Sequence, residues 1–213
     1  MALLCFRTRE GEGVDPAIGD LCARVEEVPL PAAGSSRARH FFWALGLVRG
    51  MPPWAMNCRS REYASRLARV LDDWRPDVVE IHLQAMAQYV EAAARRGLPR
   101  ILVDYDPPSA WADDLVGMTA GLRRFARKAE VAAWQRYERA TRPQFDAIVV
   151  FAERDVAAVE PSAGNASLIR VPLEVDVPTR PLHPQGSDPP TIVFVGGFAH
   201  PPNVDAALWV GRT

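Results

Sequence analysis

The chain has 213 residues, of which 48% are hydrophobic and 24% charged, with a formal net charge of -1. This is the composition of an ordinary globular protein, and the near-zero charge provides no global field that would attract nucleic acid. No stretch reaches the roughly 20 apolar residues that a membrane-spanning helix needs. The three cysteines are an odd number without metal-ligand spacing, and Met1 leads directly into a strand-like run, so we expect a cytoplasmic protein with reduced thiols.

Short apolar runs alternate with helical patterns along the chain. Strands are predicted over residues 3–8, 25–30, 78–83, 100–106, 145–152, 167–172 and 192–195. Helices are predicted over 37–48, 61–74, 84–96 and 153–159, over 109–142 with an interruption near 117–121, and after the Pro-Pro pair at 201–202. This alternation predicts an α/β protein with a Rossmann-like parallel sheet and helices on both faces.

Two aspartates follow one of the predicted strands. In a parallel sheet, ligands bind beyond the carboxyl ends of the strands. Asp104 and Asp106 flank Tyr105 at such an end, and a period of two places both carboxylates on one face. Such a pair can orient a hydroxyl group or take its proton. The alternative is that one aspartate caps the turn through Pro107 and Pro108.

Other polar residues lie at the same predicted edge. His82 ends a strand and shares a face with Glu80, and its imidazole can bind an acceptor or a phosphate. The alternative for His82 is a buried histidine bonded to a backbone carbonyl. Ser109 and Glu153 begin helices after the next strands and are expected to line the cleft. No spacing of His, Cys or Asp predicts a metal site.

Several segments resemble one enzyme family. The segment TIVFVGGFAHPPNVDAALWV, residues 191–210, resembles the opening of the carboxyl-terminal domain of GT-B glycosyltransferases of the large retaining family four. FDAIVVFAERDVAAV, residues 145–159, resembles the strand that precedes it. VVEIHLQAMAQYV and RILVDYDPPSAWADDL resemble two middle strand–helix units of the amino-terminal domain. These segments occur in the order found in the family and span nearly the whole chain.

The resemblance implies a function and a domain organisation. The expected reaction moves a sugar from a nucleotide-sugar donor to a saccharide or lipid-linked acceptor, with retention of configuration and without a cofactor or metal. Residues 1–180 would form the acceptor-side Rossmann-like domain, 181–190 a linker rich in proline and glycine, and 191–213 the start of the nucleotide-sugar domain. This sequence has no counterpart of the family's first strand and its glycine-rich loop, or of most of the donor domain. We therefore expect a chain truncated at both ends and inactive alone.

The resemblance also bears on individual residues. Gly196 and Gly197 would turn backbone N–H groups towards a donor diphosphate at a helix N-terminus, with Asn203 close by. Without the resemblance, a tight glycine turn is the simpler interpretation. Many family members carry Arg and Lys near the positions of Gly197 and Asn203, so phosphate binding here would rely on the backbone. Asp106 is favoured over Asp104 because the family often has an acid or base just before this turn.

The helix over residues 122–142 is rich in arginine. The simpler interpretation is a solvated face over an apolar stripe that includes Leu122, Phe125 and Ala133. The alternative is weak attachment to the anionic cytoplasmic face of a membrane, as suits a lipid-linked acceptor.

Two other functions compete with sugar transfer. One is a non-catalytic Rossmann-like fragment or interaction module without transferase activity. The other is an NAD-dependent oxidoreductase, which is disfavoured because the strand–glycine–helix unit lacks the third glycine and the acidic residue about 20 positions further on.

Overall fold

The computed structural model describes residues 1–7, 13–31, 43–117, 119–172, 193–198 and 201–211. The chain divides into two compact units, Met1–Leu173 and Glu174–Thr213. The predicted linker over 181–190 lies outside the described residues, as do the start of the helix predicted over 37–48 and the end of the strand predicted over 3–8.

All strand pairs of the first unit are parallel, as predicted. The strands are β1 Ala2–Arg7, β2 Arg24–Pro29, β3 Val79–His82, β4 Arg100–Val103, β5 Ala147–Val150 and β6 Ser167–Arg170. β3, β4, β5 and β6 form one sheet in that order, and β1 pairs with β2 in another. The α/β fold class is therefore confirmed, but among the described residues the strands form two sheets rather than one.

Helices connect most of these strands. They are α1 Pro16–Gly19, α2 residues 43–48, α3 Pro53–Asn57, α4 Arg61–Trp74, α5 Val90–Ala94, α6 Pro108–Gly117, α7 Leu122–Thr141, α8 Glu153–Val159 and, in the second unit, α9 Pro201–Val210. Short 3-10 turns occupy Gln84–Tyr89, Arg142–Gln144 and Glu160–Ser162. Among the described residues, none of the helices is both long enough and apolar enough to span a bilayer.

Side-chain contacts join the two sheets of the first unit. Phe6 of β1 lies 4.5 Å from the ring of Tyr63 on α4 and packs against the hydrophobic clusters of both sheets. The hydroxyl of Tyr63 donates to the carbonyl of Leu4 at 3.1 Å, which ties α4 to β1. The ring contacts continue to Tyr89, whose ring centroid lies 4.6 Å from that of Tyr63.

Helix ends follow the signals in the sequence. Ser60 caps α4 by accepting from the backbone N–H of Tyr63 at 3.1 Å. The predicted interruption near 117–121 is confirmed, because α6 ends at Gly117 and α7 begins after Gly121. Gly121 has a φ of 62°, a backbone conformation that favours glycine.

The main core lies between the four-stranded sheet and the second half of α7. Leu102 of β4 and Ile148 of β5 are completely buried, and Trp134 of α7 is 1% exposed. The first half of α7 differs from the predicted apolar stripe, because Phe125 is 73% exposed. Among the side chains of α7 that the structure describes, Val131 is the first that is buried, so Phe125 lies beyond the part of the helix that packs on the core.

The second unit contains α9 and the segment before it. Residues 193–197 are not in a strand, and Val193 and Val195 are 80% and 90% exposed, so the strand predicted over 192–195 is absent from the described residues. A β-strand needs a partner for its backbone groups, and the described part of this unit contains no second strand.

Candidate functional site

Three neighbouring strands bring aromatic side chains together at their carboxyl ends. His82 is the last residue of β3, Tyr105 follows β4, and Phe151 follows β5. The Nδ1 atom of His82 lies 2.9 Å from the hydroxyl of Tyr105, and the Tyr105 ring stacks on Phe151 with centroids 5.1 Å apart. Tyr105 is 42% exposed, so this stack forms part of the accessible edge of the sheet.

Glu80 pairs with one ring nitrogen of His82. Its carboxylate lies 3.1 Å from Nε2 of His82, and both side chains are about half exposed. A carboxylate accepts hydrogen bonds, so it favours a proton on Nε2. In the neutral ring, Nδ1 then accepts from the Tyr105 hydroxyl, and the three groups form a chain of carboxylate, imidazole and phenol.

Two predicted site residues carry exposed carboxylates in the segments that follow β4 and β5. The side chain of Asp106 is 74% exposed and lies 3.9 Å from Arg154. The side chain of Glu153 is 83% exposed and lies 3.2 Å from Arg170. Exposed ion pairs of this kind are weak, so both carboxylates are free to accept hydrogen bonds from the hydroxyl groups of a ligand.

Asp104 does not share a face with Asp106, contrary to the prediction. β4 ends at Val103, so the alternation of a strand does not continue through Asp106. Asp104 is 1% exposed, and its Oδ2 accepts from the guanidinium of Arg142 at 2.7 Å. Its carboxylate is therefore part of the protein interior, and the geometry does not favour direct contact with a substrate.

Arg142 is the centre of a buried polar network. It is completely buried and contacts Asp104, Glu138 at 3.3 Å, the side-chain oxygen of Gln84 at 3.2 Å and the hydroxyl of Ser162 at 2.7 Å. Each partner belongs to a different segment of the first unit, so one side chain holds four segments together. A buried charge is tolerated only when it is paired and hydrogen-bonded in this way.

Ser109 is directed into the same network. Its backbone N–H and its hydroxyl donate to the two carboxylate oxygens of Glu138, at 2.9 and 2.7 Å. Glu138 is 2% exposed. Ser109 is therefore used to anchor the start of α6, and a role in the cleft remains a prediction.

The predicted donor residues meet within the second unit. The side-chain amide of Asn203 donates to the carbonyl of Gly197 at 3.1 Å. A Cβ atom at Gly196 would lie 3.0 Å from the side chains of Asn203 and Phe194, whereas one at Gly197 would meet no atom within 4 Å. Glycine at 196 is explained by this close approach, and phosphate binding at the loop remains a prediction.

A cavity of the first unit lies away from the site residues predicted from the sequence. A cavity of about 550 Å³ is lined by residues including Arg49, Gln88 and Arg136, and none of the site residues predicted from the sequence lines it. Among the described residues, His, Cys, Asp and Glu side chains do not form a group of three that could hold a metal ion.

The comparisons with known proteins identify no family. No family model matches the sequence, and no curated protein matches it. One similar solved structure is the complex between a UDP-glucosyltransferase from Polygonum tinctorium, capable of glucosylating indoxyl, and 3,4-dichloroaniline. The TM-score is 0.40 and the identity 10%, over 84% of this chain and 54% of that enzyme, so this chain spans about half of its length. A likeness of this size carries no argument about function.

Sequence reasoning missed the residues that organise the site. Arg142 and Glu138 belong to a helix rich in charged residues, where a solvated position is the usual expectation. A local signal did exist, because Glu138 lies on the face of α7 that carries Trp134 and Tyr137, and Arg142 follows four residues later at the end of this helix.

The buried network gives the stability a specific dependence on pH. Burial raises the pKa of Asp104 from its ordinary 3.8 to about 6, since desolvation outweighs the attraction of Arg142, and the carboxylates of Glu138 and Asp155 raise it further. Between these values the folded protein binds this proton more tightly than the unfolded chain does. The contribution of Asp104 to the free energy of unfolding therefore falls as pH rises from about 4 to 6, by on the order of 2–3 kcal/mol.

Urea unfolding of the wild type and Asp104→Asn at pH 4, 5, 6 and 7 measures this contribution. The stability difference, wild type minus variant, should decrease as pH rises. Asp146→Asn is the control, because hydrogen bonds from Arg100 lower the pKa of Asp146 from its ordinary 3.8, so its contribution changes mainly below pH 4 and its wild-type-minus-variant difference should stay nearly constant from pH 4 to 7. A wild-type-minus-variant difference for Asp104→Asn that is constant across the range would contradict the prediction.

Proposed function

We propose that the chain carries the acceptor side of a glycosyltransferase that uses a nucleotide-sugar donor. The observation that carries this proposal is the cluster at the carboxyl ends of β3, β4 and β5, where His82, Asp106 and Glu153 are exposed together beside an aromatic stack. Ligands of parallel α/β sheets bind at this edge. Exposed carboxylates and an imidazole suit a substrate with several hydroxyl groups, and the sequence resemblance supports the same reaction class.

Each residue has a distinct role in this proposal. Asp106 orients the acceptor hydroxyl and takes its proton. His82, held by Glu80, and Glu153 bind other hydroxyl groups of the acceptor. Gly196, Gly197 and Asn203, in the second unit, bind the donor diphosphate. Retention of configuration, a saccharide or lipid-linked acceptor, and contact with a membrane surface belong to the proposal on the resemblance alone.

A transfer assay tests the proposal. The full-length gene product is incubated with a panel of UDP-, GDP- and ADP-hexoses and a set of monosaccharide, disaccharide and polyprenyl-phosphate acceptors. Mass spectrometry should detect an acceptor that has gained one hexose, together with the released nucleoside diphosphate. Absence of product from every pair, with a folded protein, would overturn the proposal in favour of a non-catalytic module.

A further inference from the structure

The segment that carries Tyr105 and Asp106 is held at both of its ends. It begins at Asp104, whose carboxylate binds Arg142 at 2.7 Å. It ends at Ser109, whose N–H and hydroxyl bind Glu138 at 2.9 and 2.7 Å. Tyr105 and Asp106 themselves are exposed. Pro107 and Pro108, between these two residues and Ser109, are buried, so the buried contacts on both sides of Tyr105 and Asp106 determine where these two residues lie.

The two residues that bind the ends of this segment, Arg142 and Glu138, also contact each other. Arg142 and Glu138 form an ion pair at 3.3 Å, and the side chains of both are at least 97% buried. Arg142 also binds the side chain of Gln84, two residues after His82. The buried ion pair therefore contacts the segment after β4, which carries Tyr105, and the residue two positions after His82 at the end of β3.

We infer that Glu138 and Arg142 are positioning residues that hold Tyr105 against His82 and keep Asp106 at the edge of the sheet. Neither reaches solvent, so they act through Asp104, Ser109 and Gln84. The placement of the His82–Tyr105 contact stands on the geometry, whereas its effect on sugar transfer rests on the proposed function.

Glu138→Gln tests the inference, because it keeps the shape of the side chain and removes the charge that pairs with Arg142. The matched control is Glu130→Gln, on the same helix, whose carboxylate pairs with Arg127 at 2.7 Å. Tyr105→Phe provides the reference for a protein in which the His82 hydrogen bond is absent.

The first readout is independent of activity. In nitrogen-15 spectra of the imidazoles at fixed pH, the signal of His82 in Glu138→Gln should move towards its position in Tyr105→Phe, while Glu130→Gln leaves it in place. If Glu138→Gln fails to fold, Ser109→Ala removes one hydroxyl contact and should move the signal in the same direction. An unchanged His82 signal in a folded Glu138→Gln or Ser109→Ala would overturn the inference.

The second readout is transfer by the full-length gene product. Misplacement of a reacting group by about 1 Å costs on the order of 10–100-fold. Glu138→Gln should lower kcat by this factor with little change in the KM for the donor, and Glu130→Gln should leave both unchanged. If the wild type transfers no sugar, the proposed function fails, but the His82 signal still decides the placement. If the His82 signal moves in Glu138→Gln but kcat does not change, the inferred effect of Glu138 and Arg142 on transfer is wrong.

Discussion

Replacement of Arg142 by methionine should lower the free energy of unfolding by about 3–5 kcal/mol, the range measured when one partner of a buried ion pair is removed. Arg142 is completely buried, and its guanidinium binds Asp104 at 2.7 Å and Glu138 at 3.3 Å. Without it, two carboxylates stay buried without a cation. Methionine keeps an apolar side chain of similar length, so the effect reports the lost charge rather than a large cavity.

Urea unfolding at pH 7 measures this effect, with Arg139→Met as the control. Arg139 is exposed in the last turn of the same helix, and its replacement should cost less than about 1 kcal/mol. Adding Asp104→Asn and Glu138→Gln to Arg142→Met should restore part of the loss, because all three charges are then absent. A loss below about 1 kcal/mol for Arg142→Met alone would show that the network contributes little.

The second large effect concerns turnover. In the full-length gene product, Asp106→Asn should reduce kcat by about 10²–10⁴-fold, the usual cost of losing a general base. Asparagine keeps the shape of the side chain and removes its ability to take a proton. The KM for the donor should change little, since the proposed donor residues lie in the second unit of the chain.

Stability separates this role from a structural one. The side chain of Asp106 is 74% exposed, so Asp106→Asn should leave the Tm almost unchanged. Asp113→Asn, which changes an exposed carboxylate on α6, should alter neither kcat nor Tm. A lower Tm for Asp106→Asn with unchanged turnover per folded molecule would identify Asp106 as a turn residue.

The features that the sequence predicted correctly depend on local patterns. Apolar runs such as the one in β5 predict buried parallel strands, because both faces of the strand need apolar residues. The serine cap of α4 and the glycine break before α7 follow from hydrogen bonding and backbone geometry within a few residues.

The features that could not be predicted from the sequence depend on contacts between residues that are distant along the chain. Asp104 and Arg142 are 38 positions apart, and nothing near either residue shows that they meet. The expected shared face of Asp104 and Asp106 assumed a strand through residue 106, whereas β4 ends at Val103. The strand predicted over 192–195 had a suitable local pattern but no partner among the described residues of its unit.

The most direct test of the proposed acceptor site, at the carboxyl ends of β3, β4 and β5, is to locate where the acceptor binds. A nitrogen-15-labelled protein is titrated with the acceptor that the transfer assay identifies, and backbone chemical shifts are followed. We expect the largest changes at His82, Tyr105, Asp106 and Glu153. Changes confined to the cavity lined by Arg49, Gln88 and Arg136 would contradict it and place the acceptor elsewhere in the first unit.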